Sequence, residues 1–256
     1  MSVLHIHEFG DPAGEPLLTL HGVNGHGRRF RRLAEESLPH RRTLAVDLRG
    51  HGRSIYDGPW SIAQHVADLV DTLDAQSLGA VDVVGHSYGG AIALALLGVA
   101  PDRVRRLVLL DPALALSGAA GSLAASAAIT DSGWSNVEEA TLARNAGLGD
   151  ETNPGVIEDI AEHLVEGTDG RFRFRVHPPA VVTAWGEMCA PLPAQVRAVP
   201  ALLVAADRAD FVSARIEADL VTLFAGLLEV VHLDSTHMLY WHRFDATAAA
   251  ITAFLD

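Results

Sequence analysis

Three observations predict an α/β protein with a mostly parallel sheet and helices on both faces. Short Val- and Leu-rich runs alternate with helix-period segments along most of the chain. The runs are apolar throughout rather than alternating, as expected of strands buried on both faces. One of them passes through a glycine-bracketed turn directly into an apolar helix. The opening, Val3–Phe9 then Gly10-Asp11-Pro12 then Leu17–Leu20, reads as antiparallel strands joined by a turn. Further strands are expected at Thr43–Val46, Val81–Val84, Leu107–Leu110, Ala201–Ala205 and Leu228–His232. Ser61–Leu78 places Ile62, Val66, Leu69, Val70 and Leu73 on one helical face, with Ser61 as N-cap. Ala91–Ala100 is apolar all round, as in a helix buried against a sheet, and Ala214–Phe224 and Thr247–Leu255 complete the helical set.

The rhythm breaks between residues 113 and 196, where Gly, Ser, Asn and Glu accumulate around Trp134, Phe172, Phe174 and Trp185. Strand signals resume at Pro200. The reading is a core formed by 1–112 and 197–256, with 113–196 inserted into it, its aromatics arguing for packing rather than disorder. Its first part, PALALSGAAGSLAASAAIT, approaches the length of a membrane span. Its Ala, Gly and Ser carry little transfer energy, so a flexible surface segment is expected instead.

Composition narrows the chemistry. With 256 residues, 49% hydrophobic and 20% charged, a large core is available. The formal charge of −13 disfavours a nucleic-acid partner. All 19 basic residues are Arg, which excludes a Schiff-base lysine, a phosphate loop with its lysine, and a Ser–Lys dyad. One cysteine, Cys189, excludes an internal disulfide. MSVLHIHEFG carries no basic start followed by a long apolar run, so a cytoplasmic protein without a membrane partner is expected.

The strongest local signal is VDVVGHSYGGAIALAL. A nucleophile on a sharp strand-to-helix turn needs small neighbours two positions either side, and Gly85 and Gly89 bracket Ser87 at that spacing. The following helix directs its free N–H groups towards charge developing at the serine. A serine needs a base. His237 lies in the loop after the last strand, whereas His86 and His21 sit in turns whose backbone does the work. His232 reads as a packed strand residue, and His5, His7, His40, His65, His163 and His242 as surface or half-buried. No His pair combines metal-site spacing with nearby carboxylates, so neither a metal nor a cofactor is expected. Asp210, on the loop after Ala201–Ala205, ranks first as the carboxylate that orients the base, giving the order Ser, Asp, His. Asp111, ending the preceding strand, and Asp207 are the alternatives. The backbone N–H groups of Val23, in LLTLHGVNG, and of Tyr88 are the candidate oxyanion donors, with both residues facing the pocket.

The ordered set LLTLHGVNG, AVDLRGHGRS, VVGHSYGG, LVLLDPA, LLVAADRADFV and DSTH resembles the α/β-hydrolase superfamily across the whole core. The resemblance implies a nucleophile elbow at Ser87, His237 as base, Val23 and Tyr88 as oxyanion donors, and 113–196 as a mainly helical cap. Related epoxide hydrolases and haloalkane dehalogenases carry Asp at the elbow, so Ser87 disfavours those activities. Ala206 departs from the Gly common after the acid-bearing strand. The expected activity is hydrolysis of a small carboxylic ester or lactone through an acyl-enzyme on Ser87. A perhydrolase, a carbon–carbon bond hydrolase and a lyase use the same triad, and a receptor with little turnover is a further alternative. Trp134, Phe172, Phe174, Trp185 and Met188 are read chiefly as packing residues. Arg28, Arg29, Arg31, Arg32, Arg41 and Arg42 read as the wet face of a helix.

Overall fold

The computed structural model describes residues 2–130, 132–149 and 151–256. In chain order the core opens with β1 (Ile6–Gly10), β2 (Pro16–Leu20), β3 (Arg42–Val46), α1 (Ile62–Ala75), β4 (Val81–His86), α2 (Tyr88–Val99) and β5 (Val104–Leu110). Between β5 and the return to the core lie α3 (Gly118–Ile129), α4 (Val137–Asn145), α5 (Pro154–His163), the hairpin β6 (Leu164–Glu166) and β7 (Phe172–Phe174), and α6 (Pro178–Glu187). The core closes with β8 (Ala201–Ala206), α7 (Ala214–Leu223), β9 (Leu228–Leu233), α8 (Leu239–His242) and α9 (Phe244–Leu255).

A seven-stranded sheet runs in the order β1-β3-β2-β4-β5-β8-β9, parallel except for β1. The expected antiparallel start is present, but β1 pairs with β3 rather than with β2. The burial patterns explain the difference. Leu17, Leu18 and Leu20 are all buried and need neighbours on both sides, whereas the half-exposed β1 suits an edge. β4 is central and wholly buried. Its Val81 and Val83 join the core beneath α1, α2 and α7, and its Val84 joins the opposite core beneath α9. Ser61 caps α1 as predicted, its Oγ accepting from the N–H of Gln64.

Several local expectations change. The Ala-rich run after Asp111 is not a flexible segment: Gly118–Ile129 forms α3, capped by Ser117 and packed on α6, as the helix propensity of Ala favours. The arginine cluster is not the wet face of a regular helix. It spans a tight 3₁₀ turn at Gly27–Phe30 and a wider turn at Leu33–Ser37, and Arg29 and Arg41 are buried. His7, His65 and His163 are buried rather than superficial. His232 stands 50% exposed, bridging Asp207 and Glu217. Residues 113–196 are tied to the core by the N–H of Gly52 donating to the Arg175 carbonyl, and that of His177 to the Gly50 carbonyl. Among the described residues no helix is long and apolar enough to cross a membrane.

Candidate active site

The turn after β4 holds Ser87 at φ 54°, ψ −119°, a left-handed conformation that an L-residue adopts only under constraint. The constraint is close packing. A Cβ at Gly89 would lie 2.2 Å from the Leu20 carbonyl oxygen, and one at Gly85 would lie 2.4 Å from the Gly89 oxygen. Side chains at these two positions would force the strand, turn and helix apart. The Ser87 N–H donates to the Leu110 carbonyl, and the Ser87 carbonyl accepts from the N–H of Ala113. These two bonds stitch the turn to the end of β5. Ser87 is 6% exposed and stands at the N-terminus of the buried α2.

The β4–β5 register, in which His86 faces Leu110, places Ser87 and Asp111 one step beyond equivalent positions on neighbouring parallel strands. Asp111 is fully buried at φ 38°, and its Oδ2 accepts a 2.5 Å hydrogen bond from His237 Nδ1. Its Oδ1 accepts from the backbone N–H of Ala206, the last residue of β8, at 3.2 Å. The carboxylate on the imidazole is therefore Asp111, not the first-ranked Asp210. The loop after β8 turns Asp210 out to solvent and instead lays the Phe211 ring on the imidazole, centroids 4.0 Å apart and 22° between planes. Asp207 is also on the outer side, paired with His232 at 3.0 Å. Ala206 thus contributes its N–H to Asp111.

His86 holds the other side of His237. Its Nε2–H donates to the His237 carbonyl at 2.8 Å, and Tyr240 Oη donates to its Nδ1 at 3.3 Å. Burial, and then the neighbouring His237, push the His86 pKa well below the ordinary range. A neutral Nε2–H tautomer fits both bonds. The sequence reading gave His86 only a backbone role and did not single out Phe211 or Tyr240. Adjacency of His86 to Ser87 was the one available signal.

The loop after β2 approaches the nucleophile closely: a Cβ at Gly22 would lie 2.9 Å from Ser87 Cβ and 3.3 Å from its Oγ. Only glycine permits that approach, and it brings the Val23 backbone beside the elbow. His21 fixes the loop. Its Nδ1–H donates to the Gly22 carbonyl at 2.7 Å and its Nε2 accepts the Leu48 N–H at 3.0 Å. Val23 is half-buried. The Tyr88 side chain, by contrast, does not face a pocket. It is 0% exposed, edge-on to His65, with its hydroxyl unpartnered among the described residues. Any part it plays at the site falls to its backbone N–H.

Contrary to the sequence reading, one His pair does meet a carboxylate: His5, His7 and Asp47 offer ligand atoms within 4.8 Å of one another. Asp47 already accepts from His7 Nε2 at 3.1 Å, from the Gly27 N–H at 2.7 Å and from the Arg53 N–H at 2.8 Å. Burial would raise its pKa, but those bonds hold it well below the usual carboxylate range. The cluster is a hydrogen-bonded brace that ties β1 to the backbone at Gly27 and Arg53 through Asp47. Two cavities border residues 113–196. One of about 380 Å³ lies largely within residues 113–196 and is lined by Asn24, Trp134, Arg144, Arg173, Phe174 and Val181 among others. Another of about 410 Å³ lies along α2 and is more apolar, lined by Leu94, Val99, Leu114, Met188 and Leu192 among others. Trp134, Phe174 and Met188 therefore do line cavities.

A left-handed serine between the central strand of a parallel sheet and a buried helix, with an Asp–His pair on neighbouring strand ends, defines the α/β-hydrolase architecture. Comparison with known proteins agrees: the profile of the alpha/beta hydrolase fold matches residues 15–151. Lipase LipV of Mycobacterium tuberculosis is 36% identical over 255 residues, covering 98% of this chain and 97% of the relative. Esterase YbfF of Escherichia coli is 28% identical over 254 residues, covering 94% and 93%. Among solved structures, E-2-(acetamidomethylene)succinate hydrolase superposes with a TM-score of 0.86 at 23% identity, covering 99% of this chain and 95% of that one. The chain belongs to the α/β-hydrolase family of enzymes.

Proposed function

We propose that the protein is a serine ester hydrolase acting on small carboxylic esters or lactones, with a triad of Ser87, His237 and Asp111. The observation that carries the reading is the 2.5 Å His237–Asp111 hydrogen bond beside a left-handed Ser87. With Nδ1 committed to Asp111, the His237 Nε2 lone pair is the basic site. It takes the Ser87 proton as Oγ attacks the carbonyl carbon, and returns it to the leaving alcohol. Water then repeats the sequence on the acyl-enzyme. Asp111 holds the tautomer and balances the imidazolium charge. The backbone N–H groups of Val23 and Tyr88 stabilise the tetrahedral oxyanion. Residues 113–196 act as the cap, and the cavity of about 380 Å³ largely within them receives the substrate. The similarity to a lipase and an esterase supports an ester substrate.

A fluorophosphonate should label Ser87, and Ser87→Ala should lose both labelling and turnover. Asp111→Asn should lower kcat by about 10⁴-fold, as expected when the imidazole tautomer is lost. Asp210→Asn and Asp207→Asn should stay within about twofold of the parent, as expected of exposed carboxylates outside the site. A full-activity Asp111→Asn, or labelling at another serine, would overturn the assignment.

A further inference from the structure

Charge does not balance where α5 meets the core. Asp159 is buried and accepts from three directions: Arg29 Nε and Nη2 at 2.6 and 3.0 Å, Arg144 Nε at 2.9 Å, and His26 Nε2 at 3.0 Å. Burial alone would raise its pKa, yet Arg29 and Arg144 hold it well below the carboxylate range. His26 is pushed down by burial, so it is a neutral donor. The cluster is thus two guanidinium groups against one carboxylate. Arg29 Nη2 also donates to the Asn24 carbonyl at 2.6 Å. Arg144 is less well provided. Its Nη2 is buried with no hydrogen-bond partner among the described residues, and its guanidinium lies over the Phe174 and Trp241 rings at 5.0 and 5.1 Å. Burial, and then the Arg29 charge, lower its pKa to about 10. Arg144 thus shares its one carboxylate with Arg29 and keeps a donor unmet.

The Arg144 side chain also borders a cavity. Arg144 keeps 20% of its side chain exposed and lines the 380 Å³ space with Asn24, Trp134 and Phe174. Asn24 directly follows Val23, so the cavity wall begins at the loop over Ser87. Arg29 and Arg144 both act electrostatically on His86, the residue before the nucleophile. The volume suits a small molecule, and a guanidinium matches a carboxylate in shape and charge.

We propose that this cavity selects small esters carrying a free carboxylate, which Arg144 holds while the ester carbonyl lies at Ser87. The inference rests on the ester-hydrolase reading. Hydrolysis of ethyl hydrogen glutarate should be compared with that of diethyl glutarate, and 4-acetoxybutanoate with its ethyl ester. These pairs place the charge on the acyl and the alcohol side in turn. In the parent, at least one acid should exceed its neutral ester by about tenfold or more in kcat/KM, the scale of a charged hydrogen bond. Arg144→Gln should remove that preference, and Arg144→Lys should retain part of it, because it keeps the charge without the fork. The ratio within each variant cancels losses of folded protein. Calorimetry of glutarate on Ser87→Ala supplies a readout without turnover: glutarate should bind, and Ser87→Ala/Arg144→Gln should not bind it. Should the parent hydrolyse none of the four esters, the hydrolase reading fails, and the calorimetry still decides the anion site. Equal rates for acid and neutral esters, a preference that survives Arg144→Gln, or absence of glutarate binding would overturn the proposal.

Discussion

Lowering the pH from 7.5 to 5 should cost this protein much of its stability. The cause is a set of histidines folded into the interior as neutral rings. His21, His51, His65, His86 and His163 are all buried, and burial lowers the pKa of each. His51 falls from 6.5 to about 4 and His65 from 6.5 to about 3. The unfolded chain therefore takes up protons first, and stability falls as pH drops below 6.5 towards those values. At pH 5 the linkage for His51 and His65 is about 2 kcal/mol each, about 4 kcal/mol together. His21, His86 and His163 act in the same direction. Set against a typical total of about 5–15 kcal/mol, this places substantial unfolding in a mildly acidic window. The carboxylates with lowered pKa, Asp47, Asp82 and Asp159, add the same sign only below about pH 4, where unfolded carboxyls begin to protonate. Exposed His232 works oppositely, its pKa raised by Asp207 and then Glu217. Urea unfolding followed by tryptophan fluorescence at pH 7.5 and 5.0, at constant ionic strength, measures the difference. His65→Phe should reduce the loss by about 2 kcal/mol, the share assigned to that ring. A change under about 1 kcal/mol in the parent would refute the reasoning, being far below the linked titration of even two such groups.

Other outcomes follow from individual residues. Tyr88→Phe removes a buried hydroxyl that has no partner among the described residues, and should raise stability by about 1 kcal/mol in the same urea assay, while kcat stays near the parent value. A large loss of kcat would mean that the side chain, and not only the N–H, serves the site. His86→Phe deletes the bond to the His237 carbonyl while keeping a ring, and should lower kcat by about ten- to a hundredfold through misplacement of the base. The pH dependence of kcat, which a loss of folded protein would leave unaltered, should change with it. Asp82 accepts from Arg41, Arg105 and Arg106 at the buried start of β4. Asp82→Asn leaves Arg41 charged and buried without its carboxylate, and should cost about 3 kcal/mol or more by urea unfolding.

Much of the architecture was legible because its signals are local. A buried strand, Gly85-His86-Ser87-Tyr88-Gly89 and an all-apolar helix occupy consecutive positions, so their sterics are written in neighbouring residues. The Ser61 cap was readable for the same reason. The antiparallel start was legible in kind but not in partner, since β2 and β3 compete for one edge and total burial decides between them. Asp111 and Asp210 both follow strand ends and both precede His237. Choosing between them required the direction of the loop after β8 and a backbone N–H from Ala206, neither of which has a composition signature. The segment 113–196 was recognisable as an interruption, but its helices were masked by weak periodicity in α3 and by short, polar elements.

The sequence by itself determined the sheet-and-helix order, the serine at the elbow and the absence of lysine chemistry, because each depends on residue type and spacing over a few positions. Only the tertiary structure decided that Asp111 meets His237, that His86 braces it, and that Arg29 and Arg144 share Asp159. Except for Arg144 and Asp159, 15 residues apart, those partners stand more than a hundred residues from each other in the chain, and His86 and His237 stand 151 apart. Their meeting is set by strand register and burial, and the cost of leaving charge unpaired in a dry interior gives it consequence.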